Sequence, residues 1–390
     1  MKSILIERPY PGLEIRRGEK ILLGRLLEPH LVVSTCRVNG GLKDDLLFVV
    51  NHQACEPKPC PGWEEKKCLA VRDPQGYHRL VCEYHHLPPE KTALLGTAAN
   101  MALAGFAREV FPIPGTQEEL VVFAVVTAGV ETNAGRAGDP ARIYEWEGRF
   151  EPVPEPEGTI NIMVFVNQEL APCALIRAVK MVTEAKTSVL QELSVPSRYS
   201  SGLATGTGTD QVALASLRTE RPPLRGAGKH VKLGELLARA VRAALKEALA
   251  RQNKRTPETI RYVPRLLERF GLGEEAFFAR LRKHLREPLL AWLHRNRRAV
   301  LSDTVLVASV LAYLEVWDQV LWGVIPKENA REAFLLQGAA LAVSLAGRPG
   351  AFEDFYHHLS SFLEPEEILL AAISLGFEEK WQVPYFDLKP

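Results

Sequence analysis

Strand-like runs fill the first two thirds of this 390-residue chain and stop near Thr256. Before that point, short β-branched stretches alternate with Gly, Pro and Asn punctuation: "SILIE", "HLVVSTCRV", "DLLFVVNH", "ELVVFAVVTAG", "TINIMVFVN" and "LATGTGTDQVALAS". Several are apolar at consecutive positions, as strands covered on both faces are. Between them, "APCALIRAVKMVTEAKTSVLQEL" repeats Leu175, Ala178, Val182, Ala185 and Val189 at the helical period. The Ala-rich "EKTALLGTAANMALAGFAREVF" also reads as helix. After the joint "LRGAGKHVKLGE", Leu237, Val241, Ala244 and Ala248 line one helix face while Arg239, Arg242 and Lys246 point outward. The remainder shows only helical patterns bounded by Gly271, Pro288, Pro326 and Gly347–Pro349. The expected architecture is an α/β (or α+β) mixed-sheet layered domain, residues 1–252, followed by an all-helical domain, residues 253–390.

Composition narrows the partners. The formal charge of +1 gives no footprint for a polyanion such as nucleic acid. The N-terminal residues lack the apolar run of a secretory signal. The greasiest stretch, "TVLVASVLAYLEVWDQVLWGVI", carries Glu315 and Asp318, which makes a membrane span costly and a buried bundle helix the better reading. A cytoplasmic protein with no membrane insertion is expected. Six cysteines are present, four of them as Cys55, Cys60, Cys68 and Cys82 near His52, His85 and His86. Their C-x4-C-x7-C-x13-C spacing lacks the paired knuckles of structural zinc sites, so reduced cysteines with no metal are expected.

Four polar stretches stand out. "STCRVNGG" contains Asn39 in a hairpin-type turn signal. "VTAGVETNAGRAGDP" brings Asn133, Arg136 and Asp139 after an apolar strand, without a dinucleotide fingerprint or a P-loop. "EGTINIMVFVN" places Asn161 at a strand start and leads to "TEAKT", where Glu184 and Lys186 are too close in sequence to face each other; Lys180 and Glu184 have the proper spacing. "ATGTGTD" sets Gly206, Thr207, Gly208 and Thr209 before Asp210, with His230 downstream in a Gly-rich joint.

Taken in order, "VVSTCRVNGG", "VTAGVETNAGRAGDP", "GTINIMVFVN", "AVKMVTEAKTSVLQEL", "ATGTGTD" and "GKHVKLGE" resemble the adenosylcobinamide amidohydrolase family over roughly the first 250 residues, a one-domain length. The resemblance implies hydrolysis of adenosylcobinamide to adenosylcobyric acid and 1-aminopropan-2-ol in cobamide salvage. It implies no cofactor beyond the cobalt of the corrinoid substrate. The cysteine-bearing insertion and the helical tail depart from the family pattern; the tail is open to homo-oligomerisation, to covering the corrin, or to binding another protein.

Amide hydrolysis needs a nucleophile, donors for the oxyanion and an acid for the amine. On residue type, Glu184 or Asp210 is the expected base, with Lys186 or His230 as acid or charge stabiliser. Asn39, Asn133, Asn161 and Arg136 are expected amide partners, and Gly206, Thr207, Gly208 and Thr209 backbone and hydroxyl donors. An acyl-enzyme on Ser34, Thr159 or Thr209 is the runner-up. Two other functions compete: a corrinoid-binding protein without hydrolysis, and a phosphate-handling enzyme using the Gly/Thr loop as an anion nest. The D-x-H-x-x-G pattern of cobalt-ligating corrinoid carriers is absent.

Overall fold

The β-branched runs pair into two sheets, and the amphipathic helices lie on their outer faces. The computed structural model describes residues 3–54, 69–141, 143–147, 149–151 and 158–382. The strands are β1 (Ser3–Tyr10), β2 (Leu13–Gly18), β3 (Ile21–Leu26), β4 (His30–Ser34), β5 (Gly41–Lys43), β6 (Phe48–Gln53), β7 (Thr92–Thr97) and β8 (Gly105–Pro112). They continue with β9 (Glu119–Ala128), β10 (Ala134–Gly135), β11 (Tyr144–Trp146), β12 (Arg149–Glu151), β13 (Ile160–Val166), β14 (Gly206–Thr207) and β15 (Gln211–Leu217). One sheet has the order β1-β2-β3-β6-β7 and the other β5-β4-β15-β13-β9-β8. Each is mixed: β6–β7 and β13–β15 are parallel and their neighbours antiparallel.

The sheets face one another across an apolar layer. Leu13, Ile15, Leu22, Val49, Ala93 and Leu95 from the first meet Val32, Val121, Phe123, Val125, Met163, Phe165, Ala213 and Ala215 from the second. Helices α1 (Leu69–Arg72) and α2 (Pro74–His85) precede β7, and Tyr77, Val81 and Cys82 of α2 cover the outer side of the first sheet through Ile21, Leu23, Val50 and Leu94. Helix α4 (Lys232–Asn253) lies on β8 and β9, with α3 (Pro172–Glu192) packed beside it. This α–β–β–α layering gives both sheets two covered faces, which is why their strands read as continuous apolar runs.

Two local expectations are corrected, and a third, the buried bundle helix, is met in part. The Ala-rich stretch read as a helix is β7, a short 3-10 turn at Met101–Leu103 and β8. Its small residues serve close packing, not helix propensity: a Cβ on Gly105 would stand 1.9 Å from Ala244 O, so glycine lets α4 press onto β8. "LATGTGTDQVALAS" is not one strand but β14 and β15, parted by a tight polar loop. The apolar stretch containing Asp318 forms the helix Thr304–Leu321, of which only 33% is buried in the protein itself. It satisfies Asp318 with Arg269, at 2.5 and 2.7 Å, and leaves Val305, Leu311 and Leu321 exposed. By length and composition that helix is also the candidate membrane span among the described residues.

The chain divides into two compact units, Met1–Thr256 and Pro257–Pro390. The second is helical, and its core gathers Phe277, Tyr313, Phe334, Ile368 and Phe377.

Candidate functional site

Polar residues concentrate where β4 and β9 end and β13 and β15 begin, on both faces of the six-stranded sheet. The helix-side face is built around Asp210. Its Oδ2 accepts from Lys186 Nζ and from Thr207 N at 3.1 Å. Its Oδ1 accepts from Thr207 Oγ1 at 2.6 Å and Ile160 N at 3.1 Å. A carboxylate offers about four acceptor sites, and these four donors fill them. Both side chains of the ion pair are largely buried, at 10% exposed for Lys186 and 12% for Asp210. Gly206 is required by this pair: a Cβ there would stand 2.5 Å from Asp210 Oδ2 and 2.6 Å from Lys186 Nζ. The loop's Thr207 N–H therefore points at the loop's own carboxylate, and the anion nest is filled from within.

Beside this clamp the other loops lock together. Asn133 Nδ2 donates to Gly158 O at 3.0 Å and Thr209 Oγ1 at 3.3 Å, and Asn133 Oδ1 accepts from Tyr199 Oη at 3.0 Å. Thr159 Oγ1 donates to Thr209 O at 2.7 Å, and Thr209 Oγ1 to Gly158 O at 3.3 Å. A Cβ on Gly208 would lie 3.2 Å from Asn133 Oδ1. Short β10 pairs with β14, tying Ala134–Gly135 to Gly206–Thr207. Arg136 packs its stem over Gly202, and its guanidinium makes no hydrogen bond to any described residue.

Other expected residues stand apart. Glu184 lies on a different face of α3 from Lys186, paired to Lys229 at 2.7 Å and Lys180 at 3.4 Å. Hydrogen bonding from Lys229 and then Lys180 holds its carboxyl below the usual range, the opposite of what a general base near neutral pH requires. His230 is exposed and makes no hydrogen bond with a described residue. Asn39 is a turn residue, at φ 54° in the β4–β5 hairpin, and its Nδ2 donates to Pro89 O and Thr92 O at 2.7 and 2.8 Å. Its amide is spent on the backbone and does not join the cluster.

The inter-sheet face holds residues that the sequence reading passed over. Six strands change from apolar to polar inward residues at the same end: Val125 to Thr127, Met163 to Asn161, Ala213 to Gln211, Val32 to Ser34, Val49 to Asn51 and Leu95 to Thr97. Gln53 extends the row beyond Asn51. Asn161 bridges the sheets, its Nδ2 donating to Asn51 Oδ1 at 2.9 Å and Gly96 O at 3.1 Å, while Asn51 Nδ2 donates to Thr127 Oγ1 at 2.8 Å. Three oxygens here are buried without a hydrogen bond: Asn161 Oδ1, Gln211 Oε1 and Ser34 Oγ. Ser34 neighbours Cys36, whose thiol burial pushes up to about 11, so Cys36 is a neutral thiol and not an activated nucleophile. The signal in the sequence was the polar residue at the end of each alternating run. Only strand register shows that these ends coincide.

The cysteine reading falls mostly on Cys55, Cys60 and Cys68, outside the described residues. Cys82 is buried, 3.8 Å from His78 Nε2, with its thiol pushed by burial to about 11. Among the described residues no group of three or more His, Cys, Asp or Glu is arranged to hold a metal.

Comparison with known proteins adds the following. The family model described as adenosylcobinamide amidohydrolase matches residues 7–257. An uncharacterised protein of Methanocaldococcus jannaschii is 34% identical over 220 residues, covering 54% of this chain and 79% of that protein. Among solved structures, a Pyrococcus horikoshii OT3 protein covers 64% of this chain and 83% of its own, at 12% identity and a TM-score of 0.31. The L-aminopeptidase D-Ala-esterase/amidase of Ochrobactrum anthropi, described as a variant of the Ntn hydrolase fold, covers 64% and 82%, at 12% identity and a TM-score of 0.28. At that level of likeness nothing of their chemistry transfers to this chain.

Proposed function

The chain belongs to the adenosylcobinamide amidohydrolase family, and on that premise we propose that it hydrolyses adenosylcobinamide to adenosylcobyric acid and 1-aminopropan-2-ol in the cytoplasm, without a cofactor of its own. The observation that carries the reading is the family match across residues 7–257, which spans every loop of the strand-end cluster. The two-sided polar strand end supports it, since a soluble sandwich gains nothing by placing unpaired carboxamides in its interior.

Within that reaction the residues divide their work. Asp210 and Lys186 are positioning residues: their ion pair fixes the 206–210 loop to Ile160 at the head of β13. Asn133, Thr159 and Thr209 hold the neighbouring loops in the same way, and Arg136 offers free donors to corrin carboxamides at the rim. Of the hydroxyls weighed as nucleophiles, Thr159 and Thr209 are donated to carbonyls, whereas Ser34 Oγ has no oxygen or nitrogen partner and only the weakly accepting Cys36 sulfur beside it. Ser34 attacks the amide carbonyl, the acyl group passes to its oxygen, and the amine leaves with the hydroxyl proton. Water then cleaves the ester and restores the serine.

The test is release of 1-aminopropan-2-ol from adenosylcobinamide, with and without chelator, by the wild-type chain and by Ser34→Ala. Wild type should turn over regardless of chelator. Ser34→Ala should lose about 10³-fold or more while binding corrinoid normally, as removal of an attacking nucleophile does. A cobyryl mass adduct on the wild-type protein should accompany turnover. Corrinoid binding without amine release would establish a binding protein instead; full turnover by Ser34→Ala would make water the direct nucleophile.

A further inference from the structure

The three orphan oxygens lie on adjacent strands of one sheet, in the order β4-β15-β13. Asn161 and Gln211 are direct cross-strand partners, and Ser34 pairs with Ala213, one pleat further along β15. All three point into the layer between the sheets, on the side that holds Met163 and Ala213. Asn161 is fully buried, and its amide nitrogen is already committed to Asn51 and Gly96, which fixes its carbonyl oxygen in place. Gln211 is only partly buried, so the row opens to solvent at that residue.

Acceptors left unpaired in an interior select for hydrogen-bond donors and against anions. The nearby cation, Lys186, lies on the opposite face of the sheet with Asp210 and does not neutralise them. Facing sheets stand about 10 Å apart and their side chains fill that layer, so a small group reaches the row only from its open strand end and a macrocycle does not enter. We propose that this inter-sheet mouth is a subsite for a small alkylammonium or amino-alcohol group, which gives its N–H donors to Gln211 Oε1 and Asn161 Oδ1 and meets Ser34 Oγ. It rests on the proposed reaction in one respect: there the group is the departing amine, held at the open strand end beside the amide carbonyl that Ser34 attacks, while the corrin stays outside. Gln211 then sets specificity for the amine end of the substrate.

The experiment is a titration of the full-length protein with 1-aminopropan-2-ol, followed by saturation-transfer NMR and calorimetry, with propan-2-ol as the control that lacks the amine. The amine should bind saturably and propan-2-ol should not. Gln211→Leu should weaken amine binding by about tenfold, the effect of losing one hydrogen bond to a charged group, and Gln211→Glu should tighten it by a similar factor. Asn161→Leu risks the inter-sheet bridge, so the two Gln211 variants carry the test. No saturable binding, or an affinity that neither variant changes, overturns the subsite and leaves the acceptors to resident water only. Hydrolysis measured on the same samples separates the two failures. Turnover without amine binding sinks the subsite alone, whereas amine binding without turnover supports the subsite and sinks the reaction.

Discussion

The two faces of one sheet end handle polar groups in opposite ways. Toward the helices, every acceptor site of Asp210 is filled, by Lys186, Ile160 and Thr207. Toward the other sheet, a few residues along the same strands, Asn161, Gln211 and Ser34 each keep an oxygen unpaired. A buried polar group with all partners in place is a fastener; one held rigid and left unpaired is a receptor. The Gly/Thr loop, which looked richest in chemistry by composition, is the fastener. The plainer strand ends are the receptor.

The sharpest way to break that contrast is Asp210→Ala. It removes the acceptor from four donors at once and leaves the Lys186 ammonium buried beside Gly206 without a counter-charge. Breaking a buried pair by deleting one partner costs about 3–5 kcal/mol. Denaturant unfolding should show a loss of that size for the alanine variant. Lys186→Met, which takes away a single donor and leaves Asp210 bonded to Ile160 and Thr207, should lose less. If Asp210→Ala were as stable as wild type and only inactive, the carboxylate would belong with the receptor after all.

Much of the scaffold was legible because its patterns are local. The period of Leu175, Ala178, Val182, Ala185 and Val189 defines α3, and the Asn39–Gly40–Gly41 turn defines the β4–β5 hairpin. The stretch from Glu90 to Phe111 was misread because alanine favours helix in isolation. Here parallel pairing of β7 with β6 and the approach of α4 to Gly105 override that preference. The receptor was illegible for a different reason. Thr127, Asn161, Gln211 and Ser34 each look like the ordinary polar end of an alternating strand. Their convergence depends on registers such as Asn161↔Gln211 and Ser34↔Ala213, which no spacing along the chain encodes. Likewise, Glu184 and Asp210 both carry carboxylates within matched motifs, but only the fold shows which cations they already hold.

Strand β4 carries the contrast from one end of the inter-sheet layer to the other. At its start, fully buried His30 is satisfied through both ring nitrogens, Nε2 to Tyr10 Oη at 3.0 Å and Nδ1 to Glu28 O at 2.7 Å. Burial pushes its pKa down from 6.5 to about 4. Because the folded value lies below the unfolded one, this stability is fully present above about pH 6.5 and is lost as pH falls toward 4. One such group contributes about 3 kcal/mol across that window. Unfolding measured from pH 7 to pH 4 should show the decline, and His30→Gln should flatten part of it. Burial drives His52 in the same direction, to about 3, so the remaining slope should persist in that variant. An identical pH profile in His30→Gln would mean that folding leaves the pKa of His30 unchanged.

The smallest effect tests whether Asn39 belongs to the scaffold. Its side chain gives two hydrogen bonds to Pro89 and Thr92, and its backbone sits at φ 54°, where asparagine is tolerated better than alanine. Asn39→Ala should therefore lower stability by about 1–2 kcal/mol. The KM for corrinoid should stay unchanged, because the amide faces the turn before β7 and not the strand-end mouth. Asn39→Gly, which relieves the backbone while still losing both bonds, should recover only the conformational part of that loss. A rise in KM with unaltered stability would reverse the assignment and move Asn39 from the fastened side of the molecule to the binding side.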